Sequence, residues 1–577
     1  GFSVDEWIDW DAKATGYDFH PLRRQAQGEN SVISQTRGRE IMVTRIVKTP
    51  QGKKPLHPPH SADDSLLLIA RQVGAAASEV ALNAARMVQE NMSKTAAGVI
   101  GVNGGERMSK VDRAWWRMDS PTNLMMIVGF WILKPRVDYE AVCLRVEQRM
   151  LKYPRFRQRV VEDPAGAIWV EDPDLDIHDH VVRERLPRVA KGREKAALQD
   201  LVGRLAVQPL DPKRPLWKMH LVENYRDEDG KPASVLIVRI HHCIADGIAL
   251  IAVTMSMVDG GTEPPVRTPS APESPEEWIA HHVVEPLAHA AVKALDAAGD
   301  GAAASLHLLR EPGKGVSGST DLAKVAYHVL SDAAALALMA DDSRTRLKGK
   351  AGTAKCVAWC QPIPLDEVKA VGKALNCSVN DVLLSCVAGA IGAYLRDKGD
   401  PVEGKDIRAM IPVNLRPIKD AWKLGNHFGL APLVLPIGID NPVERLYEVR
   451  RRMQALKGGT QPLMAYGLLA VAGMLAKPAQ DAMLNLFSKK TTAVMTNVPG
   501  PREKLTFCGA TLEQSLAWVP ASGDVGLGVS ILSYGGGVQF GVITDTKLCP
   551  DPQGIIEQFE PEFAKLSMVT MMLPWGE

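Results

Sequence analysis

The stretch VLIVRI-HHCIADG-IALIAVTMSMV, Val235 to Val258, decides the reading of this 577-residue chain. VLIVRI is a short apolar run of strand length, and the run after Gly247 has helical length. A buried strand that ends in two imidazoles, with Asp246 four residues past the second, places titratable groups at an element end. Enzymes hold general bases in such positions. Neighbouring strand residues face opposite ways. One of His241 and His242 can therefore face a cavity while the other packs or hydrogen-bonds. Asp246 can orient an imidazole or fix the loop by an ion pair, and Gly247 lets the chain turn into the helix. The chain carries its own contrast in EEWIAHHVVEPLAHA, where His281 and His282 lack the following Asp-Gly. That pair reads as structural.

Four further segments occur in order around the motif: RPLW (Arg214 to Trp217), SVNDVLL (Ser378 to Leu384), IPVNLRP (Ile411 to Pro417) and TNVPGP (Thr496 to Pro501). With the HHxxxDG string they resemble the bacterial wax ester synthase/diacylglycerol acyltransferase family. That family belongs to the CoA-dependent acyltransferase superfamily, with peptide-synthetase condensation domains and chloramphenicol-acetyltransferase-like enzymes. The similarity begins near RMSKVDRAWWRMDSPTNLMM (Arg107 to Met126) and runs to the end, about four-fifths of the chain. It implies an α/β fold of two chloramphenicol-acetyltransferase-like halves joined by a helical linker, with an active-site channel between them.

Composition agrees with a large globular protein. Its length exceeds one ordinary core, and a hydrophobic content of 46% is ample for packing. A net charge of +1 gives no signal for a nucleic-acid partner. The eight cysteines (Cys143, Cys243, Cys356, Cys360, Cys377, Cys386, Cys508 and Cys549) contain no CxxC pair. They read as reduced, mostly buried thiols, with neither a disulfide frame nor a metal site. No apolar run near 18 residues is free of charge, so no transmembrane helix is expected, and no signal peptide is visible.

Composition shifts divide the chain. Residues 1–105 form an extension: a polar arm, the Pro-rich KTPQGKKPLHPPH and an Ala-rich helical stretch at 63–102. Residues 106–258 make the first α/β half and 351–577 the second. Between them, 259–350 reads as a Pro-rich and helical linker. DEDGK (Asp227 to Lys231) and Gly535 to Gly537 both read as hairpin turns.

Acyl transfer from a thioester to an alcohol needs a proton acceptor, donors for the oxyanion and exclusion of water. The resemblance assigns the base to His242, the second histidine of the motif. Read from the residues, His241 takes a structural or positioning role, and Asp246 fixes the loop through a cation such as Arg416. Asn380, beside Asp381, either donates to the oxyanion or caps a helix, a cap that Ser378 can equally supply. Pro215, Leu216 and Trp217 either shape an apolar channel or pack in the core. Asn497, Pro499 and Gly500 belong to a constrained loop at the channel, with Trp518 and Ser533 as lesser lining residues. No GxSxG nucleophile elbow is present, which favours direct attack over an acyl-enzyme.

The expected substrates are acyl-CoA as co-substrate, with no other cofactor, and a long-chain alcohol or diacylglycerol. An alternative is a condensation-type or polyketide-tailoring acyltransferase fed by a carrier protein; this chain lacks a carrier serine motif. A second is a degenerate lipid-binding scaffold, against which the intact His-His and Asp-Gly argue. Apolar substrates without a spanning segment imply a cytoplasmic protein peripherally attached to the inner membrane or lipid inclusions. The contacts for that attachment are expected in 63–102 and in the basic stretch Arg145 to Arg159.

Overall fold

The computed structural model describes residues 105–163, 166–264, 340–416, 423–457, 465, 469 and 477–573. The N-terminal sheet is built around the motif strand. Strands β1 (Met126–Lys134), β2 (Trp217–Arg226) and β3 (Pro232–His241) lie antiparallel with β3 in the middle. Met126 stands opposite His241, and Trp217 opposite Ile240. Val235 and Ile237 join Leu198 and Val202 of helix Glu194–Ala206 in one apolar cluster. Leu236, on the other face, joins Val142, Val146 and Trp217. Burial on both faces explains why β3 runs apolar instead of alternating. The β2–β3 hairpin turns at Asp227–Lys231, with Gly230 at φ +77°. Helix α1 (Lys110–Arg117) precedes this sheet, and α2 (Gly247–Met257) follows the motif.

The C-terminal half holds a second sheet. Strands β4 (Lys355–Trp359), β5 (Ile407–Asn414), β6 (Phe428–Leu435) and β7 (Ala493–Pro499) come first in sequence. After β8 (Ala510–Trp518) come β9 (Leu527–Tyr534) and β10 (Gly537–Asp545). The order across the sheet is β6-β5-β7-β9-β10-β4. The β9–β10 hairpin closes through Gly535 and Gly536, at φ +59° and +81°, backbone conformations that glycine adopts without strain. Helix α3 (Val379–Asp397) packs against this sheet and helix Gln553–Met572. At 19 residues it is long and apolar enough to cross a membrane, yet 83% of its apolar window is inside the protein. A Cβ on its Gly392 would lie 2.3 Å from the Ile437 carbonyl oxygen, so the close approach needs glycine.

Strand β8 crosses between the halves. It leaves the C-terminal half and pairs antiparallel with β1, Leu516 opposite Phe130 and Trp518 opposite Val128. The six-stranded N-terminal sheet is therefore completed by residues that composition assigns to the other half. The linker assignment also shifts at its end. Within 340–350, Leu347 is buried in the C-terminal core, and Asp342 accepts from the Arg408 backbone N–H at 2.8 Å and the Thr492 hydroxyl at 2.6 Å. The 63–102 stretch and the His281–His282 pair lie outside the described residues.

All eight cysteines are free thiols, and six are buried. Four arginines of the stretch from Arg145 to Arg159 have acidic partners. Arg145 pairs with Asp259, Arg149 with Glu263, Arg155 with Glu106 and Arg157 with Glu171.

Candidate active site

Strand β3 delivers its last residue, His241, to the junction of the two halves. The loop His242–Ala245 follows, and Asp246 caps α2 by accepting the Ala249 N–H at 3.0 Å. Its second carboxylate oxygen accepts from Arg416 Nη2 and from the His427 backbone N–H, both at 2.9 Å. The side chains of Asp246 and Arg416 are 4% and 2% exposed. Arg416 Nη2 also donates to the Gly425 carbonyl at 2.7 Å, and Ala245 bridges Gly425 in parallel register. The expected partnership of Asp246 with Arg416 is thus present. It ties the motif loop to Arg416, Gly425 and His427 of the C-terminal half. Gly247 opens α2 without contacts that exclude a side chain.

His242 is 3% exposed. The Trp115 indole of α1 stacks on its ring at 4.3 Å, and Phe428 of β6 lies 5.4 Å away. Its Nδ1 is 2.8 Å from Asn426 Oδ1, and its backbone N–H donates to the Met125 carbonyl at 2.7 Å. Asn426 in turn rests on Asp112 of α1, which is 2% exposed. Burial pushes the His242 imidazole down to about 4, against the pull of Asp246 and Asn426. It is therefore neutral at physiological pH. Burial raises the Asp112 carboxyl, opposed chiefly by Arg155.

His241 is arranged differently. Its Nδ1 accepts the Cys243 N–H at 3.2 Å, so that lone pair is occupied and the neutral ring carries its proton on Nε2. Nε2 lies 3.4 Å from Asp119 Oδ1 without hydrogen-bond alignment, an electrostatic contact only. This ring braces the loop, and the Leu216 carbonyl holds its backbone N–H at 2.9 Å.

The remaining expected residues divide into separate groups. Leu216 and Trp217 are core residues; Trp217 donates to the Phe156 carbonyl at 2.8 Å and stacks on His180 at 4.5 Å. With Pro215 they stand at the start of the strand that pairs with the motif strand. Ser378 caps α3, and Asp381 closes its capping box, so the cap is not Asn380. Asn380 Oδ1 instead accepts from Asn497 at 2.6 Å. Gly500, just past Pro499, donates to the Ser533 carbonyl at 2.7 Å. There a Cβ would come within 2.6 Å of that same oxygen. Trp518 is buried where β8 meets β1. Strands β5 and β7 pair only at Ala409–Ala493 and Met410–Val494. Their C-terminal ends, bearing Asn414 and Asn497, lie beyond that ladder.

An open cleft of about 470 Å³, with Lys134, Tyr225, Trp359 and Lys504 in its wall, includes no residue of His241–Gly247. Sequence reading did not single out Asn426, Asp112 or Trp115, although the last two lie in the segment where the resemblance begins.

The family model of the wax ester synthase/diacylglycerol acyltransferase catalytic domain matches residues 108–383, and that of the C-terminal domain matches 424–567. A protein of Mycobacterium tuberculosis named as a diacylglycerol O-acyltransferase is 30% identical over 422 residues, covering 72% of this chain and 87% of that protein. The chain belongs to the wax ester synthase/diacylglycerol acyltransferase family. A second relative from that organism, a diacylglycerol O-acyltransferase named tgs1, is 26% identical over 453 residues, 76% of this chain and 89% of its own. The solved wax ester synthase/diacylglycerol acyltransferase from Marinobacter aquaeolei VT8 aligns with a TM-score of 0.55 at 20% identity. That alignment covers 81% of this chain and all of that one, a likeness of fold. The family's two α/β halves correspond to the two sheets described above.

The buried imidazoles are expected to give this family member a pH-dependent stability. Burial lowers His242 to about 4, His220 to about 3, and His180 as well. In the unfolded chain each takes up a proton near pH 6.5. The folded state resists protonation, so stability is full above pH 6.5 and falls as pH drops toward 4. His242 alone accounts for about 3 kcal/mol of that loss. Urea unfolding at pH 7.5 and 4.5 measures it, and His242→Gln is expected to flatten the dependence.

Proposed function

We propose that this protein is an O-acyltransferase that moves a long acyl chain from acyl-CoA to a fatty alcohol or a diacylglycerol, with His242 as general base. The observation that carries this reading is a neutral, buried imidazole on the motif loop where the halves meet, with Nδ1 bonded and Nε2 without a partner among the described residues. Nε2 takes the hydroxyl proton as the oxygen attacks the thioester carbonyl carbon. The tetrahedral intermediate then collapses by breaking the carbon–sulfur bond. The departing CoA sulfur takes the proton back from the imidazolium, leaving ester and free thiol. Cys243 is no rival nucleophile: it is wholly buried, and burial raises its thiol well above the usual range.

The test is an assay of the purified protein with palmitoyl-CoA against hexadecanol, a diacylglycerol and a short alcohol, following free CoA and lipid product. Ester formation on a long-chain hydroxyl supports the reading. Transfer only from an acyl-carrier protein would replace it with condensation-type chemistry, and no transfer from either donor would leave a lipid-binding scaffold.

Such substrates place the enzyme at the cytoplasmic surface of a membrane or lipid inclusion. Met568, Met571, Met572 and Leu573 stand exposed together at the end of helix Gln553–Met572. An apolar cluster of this kind suits an interface. Liposome flotation of wild type and of a Met571→Ser, Met572→Ser variant is expected to show weaker binding by the variant. Equal binding would move the contact elsewhere on the chain.

A further inference from the structure

The side chain that touches His242 Nδ1 comes from the C-terminal half, outside the motif. Asn426 is 2% exposed and makes four hydrogen bonds. Its Nδ2 donates to Asp112 Oδ1 at 2.8 Å and to the His242 carbonyl at 2.7 Å. Its backbone N–H also donates to Asp112 Oδ1, at 2.9 Å. Both neighbours of the NH2 group are acceptors, so turning the amide end for end would set oxygen against oxygen twice. The orientation is fixed. The other end, Oδ1, can only accept, and its partner at 2.8 Å is His242 Nδ1. That nitrogen must therefore carry the proton. The His242 carbonyl can only accept, so the orientation does not depend on the charge of Asp112.

We propose that Asn426, held by Asp112, is a positioning residue that locks His242 in the Nδ1–H tautomer and leaves the Nε2 lone pair to take the substrate proton. The inference rests on His242 being the base. It adds that the base is assembled only when the halves are docked. Asp112 and Trp115 come from α1, His242 from the loop after β3, and Asn426 lies next to Gly425 and His427, which Arg416 and Asp246 hold. Without the amide oxygen, Nδ1–H loses its acceptor at 2.8 Å, and the form with the proton on Nε2, which cannot accept one there, gains population. When Nε2 is protonated during attack, Asn426 Oδ1 keeps accepting from Nδ1–H, and no group has to reorient.

Nitrogen-15 NMR on histidine-labelled full-length protein reads the tautomer directly, with His242→Gln identifying the resonances by their loss. The wild type is expected to show a protonated Nδ1 and an unprotonated Nε2 at neutral pH; the reverse pattern overturns the proposal whatever any variant does. Asn426→Ala is expected to lower kcat roughly 100-fold, to leave KM for palmitoyl-CoA within about twofold, and to mix the two tautomers. A folded Asn426→Ala protein with wild-type kcat and an unchanged tautomer overturns it. These failures are distinct from failure of the base assignment, which would appear as turnover by His242→Ala itself.

Discussion

His242→Ala is expected to lower kcat for ester formation on the order of 100- to 10,000-fold, the usual loss for a general base, while His241→Ala keeps more of its activity. The difference follows from two imidazoles held in opposite tautomers. His241 offers its Nδ1 lone pair to the Cys243 N–H, so it has none to spare for a substrate. His242 spends Nδ1 as a donor to Asn426 and keeps Nε2 available. The alanine also removes a ring stacked on Trp115 at 4.3 Å, so circular dichroism must accompany the kinetics. His242→Gln fills more of that space and serves as the second variant. Near-wild-type turnover by either folded protein would refute the assignment. A His241→Ala loss as deep as that of His242→Ala would mean both rings take part in the chemistry.

Asp246→Asn is expected to produce the largest loss of stability. The carboxylate caps α2, holds the His427 backbone and pairs with Arg416, so one side chain joins three elements. Removing one partner of a buried ion pair leaves the other charge without compensation and costs roughly 3–5 kcal/mol. The expected result is a clearly lower melting temperature, with turnover falling because the loop carrying His242 loses its clamp. Replacing Arg416 as well, by methionine, removes the orphaned charge. That double variant should lose less than the sum of the two single ones. An unchanged melting temperature with abolished turnover would instead assign Asp246 to the chemistry.

The local features of the fold were legible because they are written in consecutive residues. A strand covered on both faces runs apolar, so VLIVRI identified β3. The Asp227–Lys231 and Gly535–Gly537 turns followed from residues that tolerate positive φ. The motif and its four companion segments placed the chain in its family, and Arg416 was one cation the sequence offered as a partner for Asp246. Other assignments needed the structure because their local signals point elsewhere. Asp112 lies three residues after Ser109, whose hydroxyl accepts its backbone N–H, so in sequence it reads as part of a helix cap. Asn426 sits in GNHFG, a short polar connection with no period that marks a site. Ser378 and Asn380 both suited the cap of α3, and the structure uses Ser378, with Asp381 closing the box.

The sequence by itself determined the α/β class, the family, the turns and the loop that carries the imidazoles, since each depends on neighbours along the chain. The tertiary structure alone decided which imidazole has a lone pair to use, because that depends on Asn426, 184 positions away from His242. It also decided that β8 completes the other half's sheet. Pairing to β1 is a contact between strands nearly four hundred residues apart, and the alternation within a strand says which face is buried, not which partner lies beside it.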